Sequence, residues 1–528
     1  MFANFPGFLR FLVRRERMTS VIWLAAMSIS AVVIASLFPG ILPTEEAMQG
    51  MALTLNSPAM VAMMGPVYGL DALNPAIVMA EECLIWFGIA SIIMNVFFIN
   101  RHTRVDEELG RDEMLAALPT GRMTGATAAI TGALALNIAI SLLTFLLLSI
   151  FGIEGVTLSG SFVYAFSIGM TGFVFAAATL LFAQLFSTAR GVTGAAFAFM
   201  GLSYIIRAYG DMSNSSVSLI SPMGLGLKVE AFYSDRVWPI IILFIEGLVI
   251  SAIALAICSV RDVGAGIIPA GKGKSHASRF LKSPLGLAWR LTRGGTIGWA
   301  IGMVAIGLSY GSVIGELETF VQGNDTIRMM LEGRGGASSL AEGYLAMLAA
   351  IMSLIAAIPL VLTVNRLHGE EKRGRMEQIS ALSIPRDRLL VAFTILAVIQ
   401  AFAMPVLYVL GLYAAVGNTG ILPFGMIMQA SLAYIPALLL MVGLAVVLSG
   451  YAPKFISLIW AVFAFSFFTF YFGRLTELPE WVSHISPFDN IPQIPVEEFS
   501  AVPLVILCVI AAATFVAGFA GYKKRDLL

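Results

Sequence analysis

Acidic and basic side chains are scarce in this chain, and those whose spacing could serve a function are concentrated in two short polar segments. Asp, Glu, Lys and Arg make up 12% of the 528 residues, whereas 58% of the residues are hydrophobic. Polar segment 1 comprises about residues 100–122, and polar segment 2 about residues 366–388. Glutamates and arginines placed together in this way can pair with one another or offer charged contacts to a partner protein.

The two polar segments are copies of one another, at a shift of 264 residues that equals half of the 528-residue chain. Each copy contains a Gly that can break or start a helix, and the residues after it have the pattern of one short amphipathic helix. A Glu stands four residues before an Arg in both copies, a favourable ion-pair spacing if the helix continues through the Gly. The matching residues are Glu107, Gly110, Arg111, Glu113, Ala117, Leu118 and Arg122 in the first copy and Glu371, Gly374, Arg375, Glu377, Ala381, Leu382 and Arg386 in the second.

Metal and nucleotide chemistry are not indicated by the remaining motifs. The three cysteines and four histidines have no ligand spacing, so we predict no metal site. Residues Gly266–Gly273 nearly match a phosphate-binding loop, but Gly273 stands where the motif needs Ser or Thr to hold magnesium. We interpret this stretch as a linker. The formal net charge of zero gives no indication of a nucleic-acid partner.

Twelve apolar runs are long enough to cross a bilayer, and they position the polar segments. With both chain ends in the cytoplasm, 26 of the 32 Lys and Arg residues fall on the cytoplasmic side, as the positive-inside rule requires. Each polar segment then lies in the cytoplasm between the second and third spans of its half. The predicted spans are Ser20–Pro39, Cys83–Ile99, Gly125–Gly152, Ser161–Ser187, Gly191–Ile206, Val237–Cys258, Thr296–Gly315, Gly343–Val364, Leu389–Val416, Phe424–Ser449, Phe455–Gly473 and Ala501–Gly521.

One further apolar stretch, Met48–Leu70, could be taken for a thirteenth span. It is interrupted by Pro58 and by Gly65 with Pro66. A span at this place would put polar segment 1 outside the cell and remove the charge asymmetry. We therefore predict that the stretch is a membrane-surface or re-entrant segment on the outer side.

The repeat extends over both halves of the chain. An amphipathic helix is predicted to lie along the membrane surface before the first span of each half, at Phe5–Arg17 and at Leu287–Arg293. Each half then has six spans, an even number, so both halves begin on the same side and their symmetry axis is expected along the membrane normal. The predicted fold class is an all-α polytopic membrane protein of two parallel six-helix repeats. The first half is residues 1–262, the cytoplasmic linker 263–284 and the second half 285–528.

The pattern Glu-Glu-x-x-Gly-x-x-Glu-x-Leu/Ile in the polar segments resembles the coupling helix of ABC-2 type transporter permeases. The closer match is the second copy, Glu370-Glu-Lys-Arg-Gly-Arg-Met-Glu-Gln-Ile379, and the first copy is looser. In that family the element lies in the cytoplasm and docks into a cleft of the ATP-binding subunit. The resemblance implies the ABC-2, or type V, exporter fold. The double-length chain resembles bacterial exporters of polyketide antibiotics and other drugs.

The resemblance implies a permease subunit, not an enzyme, that effluxes hydrophobic or amphipathic drugs or antibiotics. ATP and Mg²⁺ would be bound by two copies of a separate ABC ATP-binding subunit, and this chain would carry no cofactor. Its place would be the bacterial plasma membrane, with both termini cytoplasmic. The implied docking residues are Glu107, Gly110, Arg111 and Glu113 with Glu371, Gly374, Arg375 and Glu377.

Polar residues inside the spans are the candidate substrate contacts: Glu246, Asn137 and Gln400. A carboxylate at membrane depth is energetically unfavourable and indicates a function, whereas amides there often hydrogen-bond neighbouring helices. An alternative function is that of a secondary multidrug transporter driven by an ion gradient, since two parallel halves of six spans also fit that class. That alternative predicts paired ionisable residues within the spans, where Glu246 is the clear case.

Overall fold

Helices joined by turns and short loops build the described part of the chain, which is a computed structural model. Within it, eleven helical stretches are long and apolar enough to cross a bilayer, with Phe424–Tyr451, which a turn interrupts, counted as one. A helix satisfies its own backbone N–H and C=O groups, which lipid cannot do, and this is why apolar spans fold as helices. The all-helical, polytopic fold class is confirmed. The structure describes residues 2–42, 45–56, 58–111, 120–213, 215–262, 264–268, 275–322, 336–372, 374–375, 385–416, 422–472 and 480–525.

The chain forms two compact units, Met1–Gly273 and Lys274–Leu528. In the first unit helix α7 is the central element, and it packs against α4, α6 and α10. Its apolar window is 83% buried because neighbouring helices cover it on several sides. The helices of this unit are α1 (Phe5–Ile41), α2 (Glu45–Leu55), α3 (Pro58–Met64), α4 (Pro75–Arg101), α5 (Arg104–Glu108), α6 (Thr124–Ile150), α7 (Leu158–Leu185), α8 (Ala189–Met212), α9 (Pro222–Leu227) and α10 (Trp238–Val260).

The second unit repeats the helix pairings of the first. Helix α11 packs on α13 as α1 packs on α6, and α15 packs on α18 as α7 packs on α10. Small residues permit the close approach of α15 and α18, since a Cβ added at Gly450 would lie 2.3 Å from the carbonyl oxygen of Gly518. The helices are α11 (Pro284–Gln322), α12 (Gly336–Lys372), α13 (Arg386–Val416), α14 (Phe424–Leu432), α15 (Ile435–Tyr451), α16 (Leu458–Phe472), α17 (Glu480–Ser483) and α18 (Ala501–Lys524).

The amphipathic helices predicted before each half are continuous with the first span. Helix α1 has 37 residues and α11 has 39, so each includes both predicted elements. A 37-residue helix is about 55 Å long, whereas the bilayer core is about 30 Å thick. The prediction of separate surface helices is therefore corrected: Phe5–Arg17 extends the first span. Between Arg17 and Ser20 the sequence contains neither Gly nor Pro, so nothing interrupts the backbone hydrogen bonds.

Other spans differ from the prediction at their ends. The second span begins at Pro75 and the fifth ends at Met212, several residues beyond the apolar runs. The tenth is broken between α14 and α15, where Pro436 in the first turn of α15 lacks the N–H that would continue the helix. The eleventh corresponds to α16, whose 15 residues fall below the length of the other spans; residues 473–479, where its predicted end lies, are outside the described residues.

The apolar stretch Met48–Leu70 forms the end of α2 and all of α3. These helices have 11 and 7 residues, and neither is long enough to span a bilayer. Helix α3 packs against α8, and Arg207 of α8 donates hydrogen bonds to the carbonyl oxygens of Val61 and Met63. The stretch is thus held on the first unit as a pair of short helices and does not form a thirteenth span.

Candidate functional site

Polar segment 1 contains a compact network of ion pairs. Helix α5 presents Asp106 and Glu107 on consecutive positions. Asp106 accepts two hydrogen bonds from Arg15 of α1, at 2.6 and 2.9 Å, and a third from Arg111 at 2.9 Å. Glu107 pairs with Arg104 at 2.6 Å and with Arg261, which donates to it at 3.1 Å. These two acids therefore tie the segment to α1 and to the residue that follows α10.

Polar segment 2 contains the corresponding network on the last turn of α12 and the residues after it. Glu370 pairs with Arg366 at 2.7 Å and with Arg375 at 3.1 Å. Glu371 accepts a hydrogen bond from the Tyr522 hydroxyl at 2.6 Å and pairs with Arg525. Both glutamate side chains are almost fully enclosed, with 5% and 2% of their surfaces exposed.

One ion pair is made identically in the two units. Arg261 directly follows α10 and Arg525 directly follows α18, so each is the C-terminal cap of the last long helix of its unit. Each pairs with the glutamate 154 residues before it, Glu107 or Glu371. We call this glutamate–arginine pair the clasp. A cation at the C-terminal end of a helix is also favoured by the helix dipole.

The predicted Glu-to-Arg pairing at a spacing of four residues is not what the structure shows. Arg111 pairs with Asp106 and Arg375 with Glu370, each five residues earlier. Gly110 and Gly374 adopt the left-handed conformation, at φ of +66° and +68°. The helix does not continue through either Gly, so the Glu four residues before the Arg is no longer on the same helical face and turns toward the clasp instead.

The predicted docking residues fall into two groups by exposure. Arg111 and Arg375 expose 46% and 58% of their side chains, and Gly374 is also exposed. Gly110 is half-buried, whereas the clasp glutamates Glu107 and Glu371 point into their own units. Glu113 and Glu377 lie outside the described residues. The surface that a partner could contact thus includes the arginines, and the glutamates tie that surface to the helices beneath it.

The amides predicted to line a substrate path are engaged between helices. Asn137 of α6 and Asn95 of α4 exchange hydrogen bonds of 2.8 and 3.0 Å, and Asn137 is fully buried. Gln400 of α13 accepts from Thr363 at 2.9 Å and donates to Thr296 at 2.6 Å, which joins α11, α12 and α13. These bonds link spans, as polar side chains in membranes commonly do.

Glu246 lies in the middle of α10 and is half-buried. No hydrogen bond or ion pair joins its carboxylate to another of the residues that the structure describes. The two clasp glutamates, by contrast, each have an arginine partner. Its predicted role as a substrate contact stays a prediction.

Three buried charges escaped the sequence analysis because they lie where helices extend past the apolar runs. Glu81 in the first turns of α4 accepts a hydrogen bond of 2.6 Å from the backbone N–H of Tyr68. Arg207 near the end of α8 is fully buried, with Asp211 at 3.7 Å. The signal that could have found them is the continuation of the helical hydropathy pattern beyond the apolar runs. The clearest case is Pro75, because Pro is favoured in the first turn of a helix.

The linker interpretation of Gly266–Gly273 agrees with the part that is described. The backbone N–H groups of Ile267 and Ile268 donate to the carbonyl oxygens of Gln184 and Leu185, at 3.2 and 2.9 Å. These residues thus lie along the end of α7, and the next helical residues that the structure describes begin at Phe280. Residues 269–274, which include Lys272, are outside the described residues.

Fold and site together define a multi-pass membrane protein of two related halves, each with an ion-paired polar segment between its second and third spans. Residues 281–523 match the family model "Multidrug efflux system permease Rv1217c, C-terminal domain". Over its whole length the chain is 30% identical to the multidrug efflux system permease protein Rv1217c of Mycobacterium tuberculosis, of which it covers 96%. The chain belongs to the family of this efflux permease.

Proposed function

We propose that this chain is a drug-efflux permease and the membrane subunit of an ATP-driven exporter of the ABC-2 type. The observation that supports this best is the clasped polar segment, present once in each half at the same register. The named function of the Mycobacterium tuberculosis relative supports the efflux role. In this proposal the protein lies in the bacterial plasma membrane with cytoplasmic termini, and its substrates are hydrophobic or amphipathic drugs.

The two polar segments would each receive one copy of a separate ATP-binding subunit. Equivalent surfaces bind identical partners, so a duplicated segment fits a pair of identical ATPases. Each segment connects the second span of its half to the third, and the clasp adds the last helix. Movement of a docked subunit would therefore act on three helices of that half at once. ATP and Mg²⁺ would be bound by the partner, where hydrolysis takes place.

Docking is expected to depend on Arg111 and Arg375, which are exposed on the two segments. The double variant Arg111→Glu/Arg375→Glu should weaken association with the ATP-binding subunit by about tenfold or more. The surface of the partner that attracts positive charges would then meet negative ones. The measurement is co-purification of a candidate ATPase with the full chain, expected at two ATPases per chain. Lys454→Glu, at an exposed cation outside both segments, is the matched control.

Two results would contradict the proposal. One is full retention of the ATPase by the double variant. The other is transport by the purified chain alone in liposomes, driven by a proton or sodium gradient, which would favour the secondary transporter instead. The clasp glutamates are not used in this test, since their loss is expected to alter the fold of the segment itself.

Glu246 is proposed as a contact for cationic amphipathic substrates. Its half-buried carboxylate, without a described partner, would attract a positively charged group more strongly than an already paired acid could. Glu246→Gln should reduce stimulation of the partner's ATPase activity by cationic drugs while stimulation by neutral drugs is kept. Equal stimulation of the wild type and the variant by cationic drugs would exclude this role.

A further inference from the structure

A cavity of about 350 Å³ lies at one end of the helices of the first unit. It is bounded by the N-terminal part of α1, the end of α4 and of α7, the start of α6 and the end of α10. Its volume is within the range of ordinary ligand sites, about 300–1,000 Å³. The hydrogen bonds of 3.1 and 3.0 Å from Gly121 and Thr124 to the carbonyl oxygen of Ala3 hold the start of α1 beside α6 at this place.

The cavity combines an apolar wall with a basic one. Phe8, Phe11 and Leu12 of α1 form the apolar wall. Phe11 is 48% exposed, so this wall continues onto the outer surface of α1. Arg15, Arg122 and Arg261 contribute the guanidinium groups. A ligand for such a site has an anionic group attached to an apolar part.

Positive charge exceeds negative charge around this cavity. Among the lining residues, three arginines, Arg15, Arg122 and Arg261, stand beside two carboxylates, Asp106 and Glu107, which leaves one positive charge in excess. Partly buried excess charge is unfavourable without a counter-ion, so the cavity favours an anion.

The position of the cavity identifies the source of that anion. Its lining includes Thr103, Thr124, Gln184 and Arg261, which lie at the ends of four membrane helices. The ends of spans lie at the level of the lipid headgroups. Basic pockets between helices at this level bind anionic headgroups, while the acyl chains remain outside in the bilayer.

We propose that this cavity binds the headgroup of an anionic phospholipid, with Arg122 contacting the phosphate and Phe11 the start of the acyl chains. Arg122 is exposed and donates a hydrogen bond to the backbone carbonyl of Arg261, so it is the arginine of the lining without a described carboxylate partner. The proposal is independent of the ATP-driven mechanism. It concerns the lipid that occupies the first unit, whatever energy source drives transport.

The test uses the purified, delipidated full chain and native mass spectrometry. Phosphatidylglycerol should bind more tightly than phosphatidylcholine, whose choline cation offsets the phosphate charge, and Arg122→Gln should weaken phosphatidylglycerol binding about fivefold and phosphatidylcholine binding by less. Arg386→Gln, at the repeat position of the other half, is the matched control and should bind as the wild type does. An unchanged thermal midpoint of Arg122→Gln shows that the variant is folded, and Phe11→Ala provides a second variant that should also weaken binding.

Three outcomes would overturn the lipid assignment. One is equal binding of the two lipids by the wild type. The second is unchanged phosphatidylglycerol binding by both Arg122→Gln and Phe11→Ala. The third is competition by inorganic phosphate at concentrations comparable to the lipid, which would identify a soluble anion as the ligand.

Discussion

Replacing Glu371 by Ala is expected to lower the unfolding free energy by about 3–5 kcal/mol, the usual effect of removing one partner from a buried ion pair. Only 2% of the Glu371 side chain and 13% of the Arg525 side chain are exposed. Without the carboxylate, the Arg525 guanidinium would remain enclosed without its described acidic partner, and the Tyr522 hydroxyl would lose its acceptor. The measurement is equilibrium unfolding of the purified chain in detergent micelles.

Two comparisons separate the ion pair from ordinary packing. Tyr522→Phe keeps the clasp and removes one hydrogen bond, so it should lower stability by only about 0.5–1.5 kcal/mol. Glu371→Ala/Arg525→Leu should be less damaging than Glu371→Ala alone, since the unpaired charge is removed as well. A loss below about 1 kcal/mol for Glu371→Ala would show that the clasp contributes little. Glu371→Ala should also bind the proposed ATPase less well, because polar segment 2 is no longer tied to α18.

Arg207→Leu is the second change with a large expected effect, again about 3–5 kcal/mol. Arg207 is fully buried and donates to Val61 and Met63 at 3.2 and 3.1 Å. The variant would remove these bonds and leave the Asp211 carboxylate, 1% exposed, without its cation. Helix α3 would then lose its main polar attachment to α8. The expected result is a less stable chain in which the α3 amides exchange hydrogen faster.

The neighbouring Tyr204 offers a matched control for Arg207. Its hydroxyl donates to the same carbonyl oxygen of Met63 at 3.0 Å, and the Arg207 guanidinium lies 4.5 Å from its ring centre. Tyr204→Phe should therefore lower stability by only about 0.5–1.5 kcal/mol. Arg207→Leu/Asp211→Leu should recover part of the lost stability, because it also removes the unpaired carboxylate of Asp211. Unchanged hydrogen exchange of α3 in Arg207→Leu would show that other contacts hold it.

Much of the fold could be read from hydropathy, because a membrane span is a local property of about 20 residues. The helical class follows from that pattern, whereas the absence of a span at Met48–Leu70 was predicted from the distribution of Lys and Arg between the two sides of the membrane. The limits of the helices were harder to predict, since α4 and α8 continue past their apolar runs under cover of neighbouring helices. The polar ends of those helices carry Glu81 and the Arg207–Asp211 pair, so these charges were missed together.

The candidate site divides in the same way. The internal repeat in the sequence identified the two polar segments and the residues that match between them. It did not reveal that Glu107 and Glu371 face inward, since their partners lie 154 residues further along the chain. The exposed arginines and the buried glutamates look alike in a sequence pattern, because both are simply charged residues in a short hydrophilic segment.

The amino-acid sequence by itself determined that this protein is helical, crosses the membrane many times and carries one polar motif in each half. Those properties depend on composition and spacing over short distances. Only the tertiary structure decided which charges are used inside each half, because an ion pair such as Glu371 with Arg525 depends on the packing that brings the end of α18 to the end of α12. Packing of distant helices also formed the basic cavity at the start of α1, which no local pattern of residues encodes.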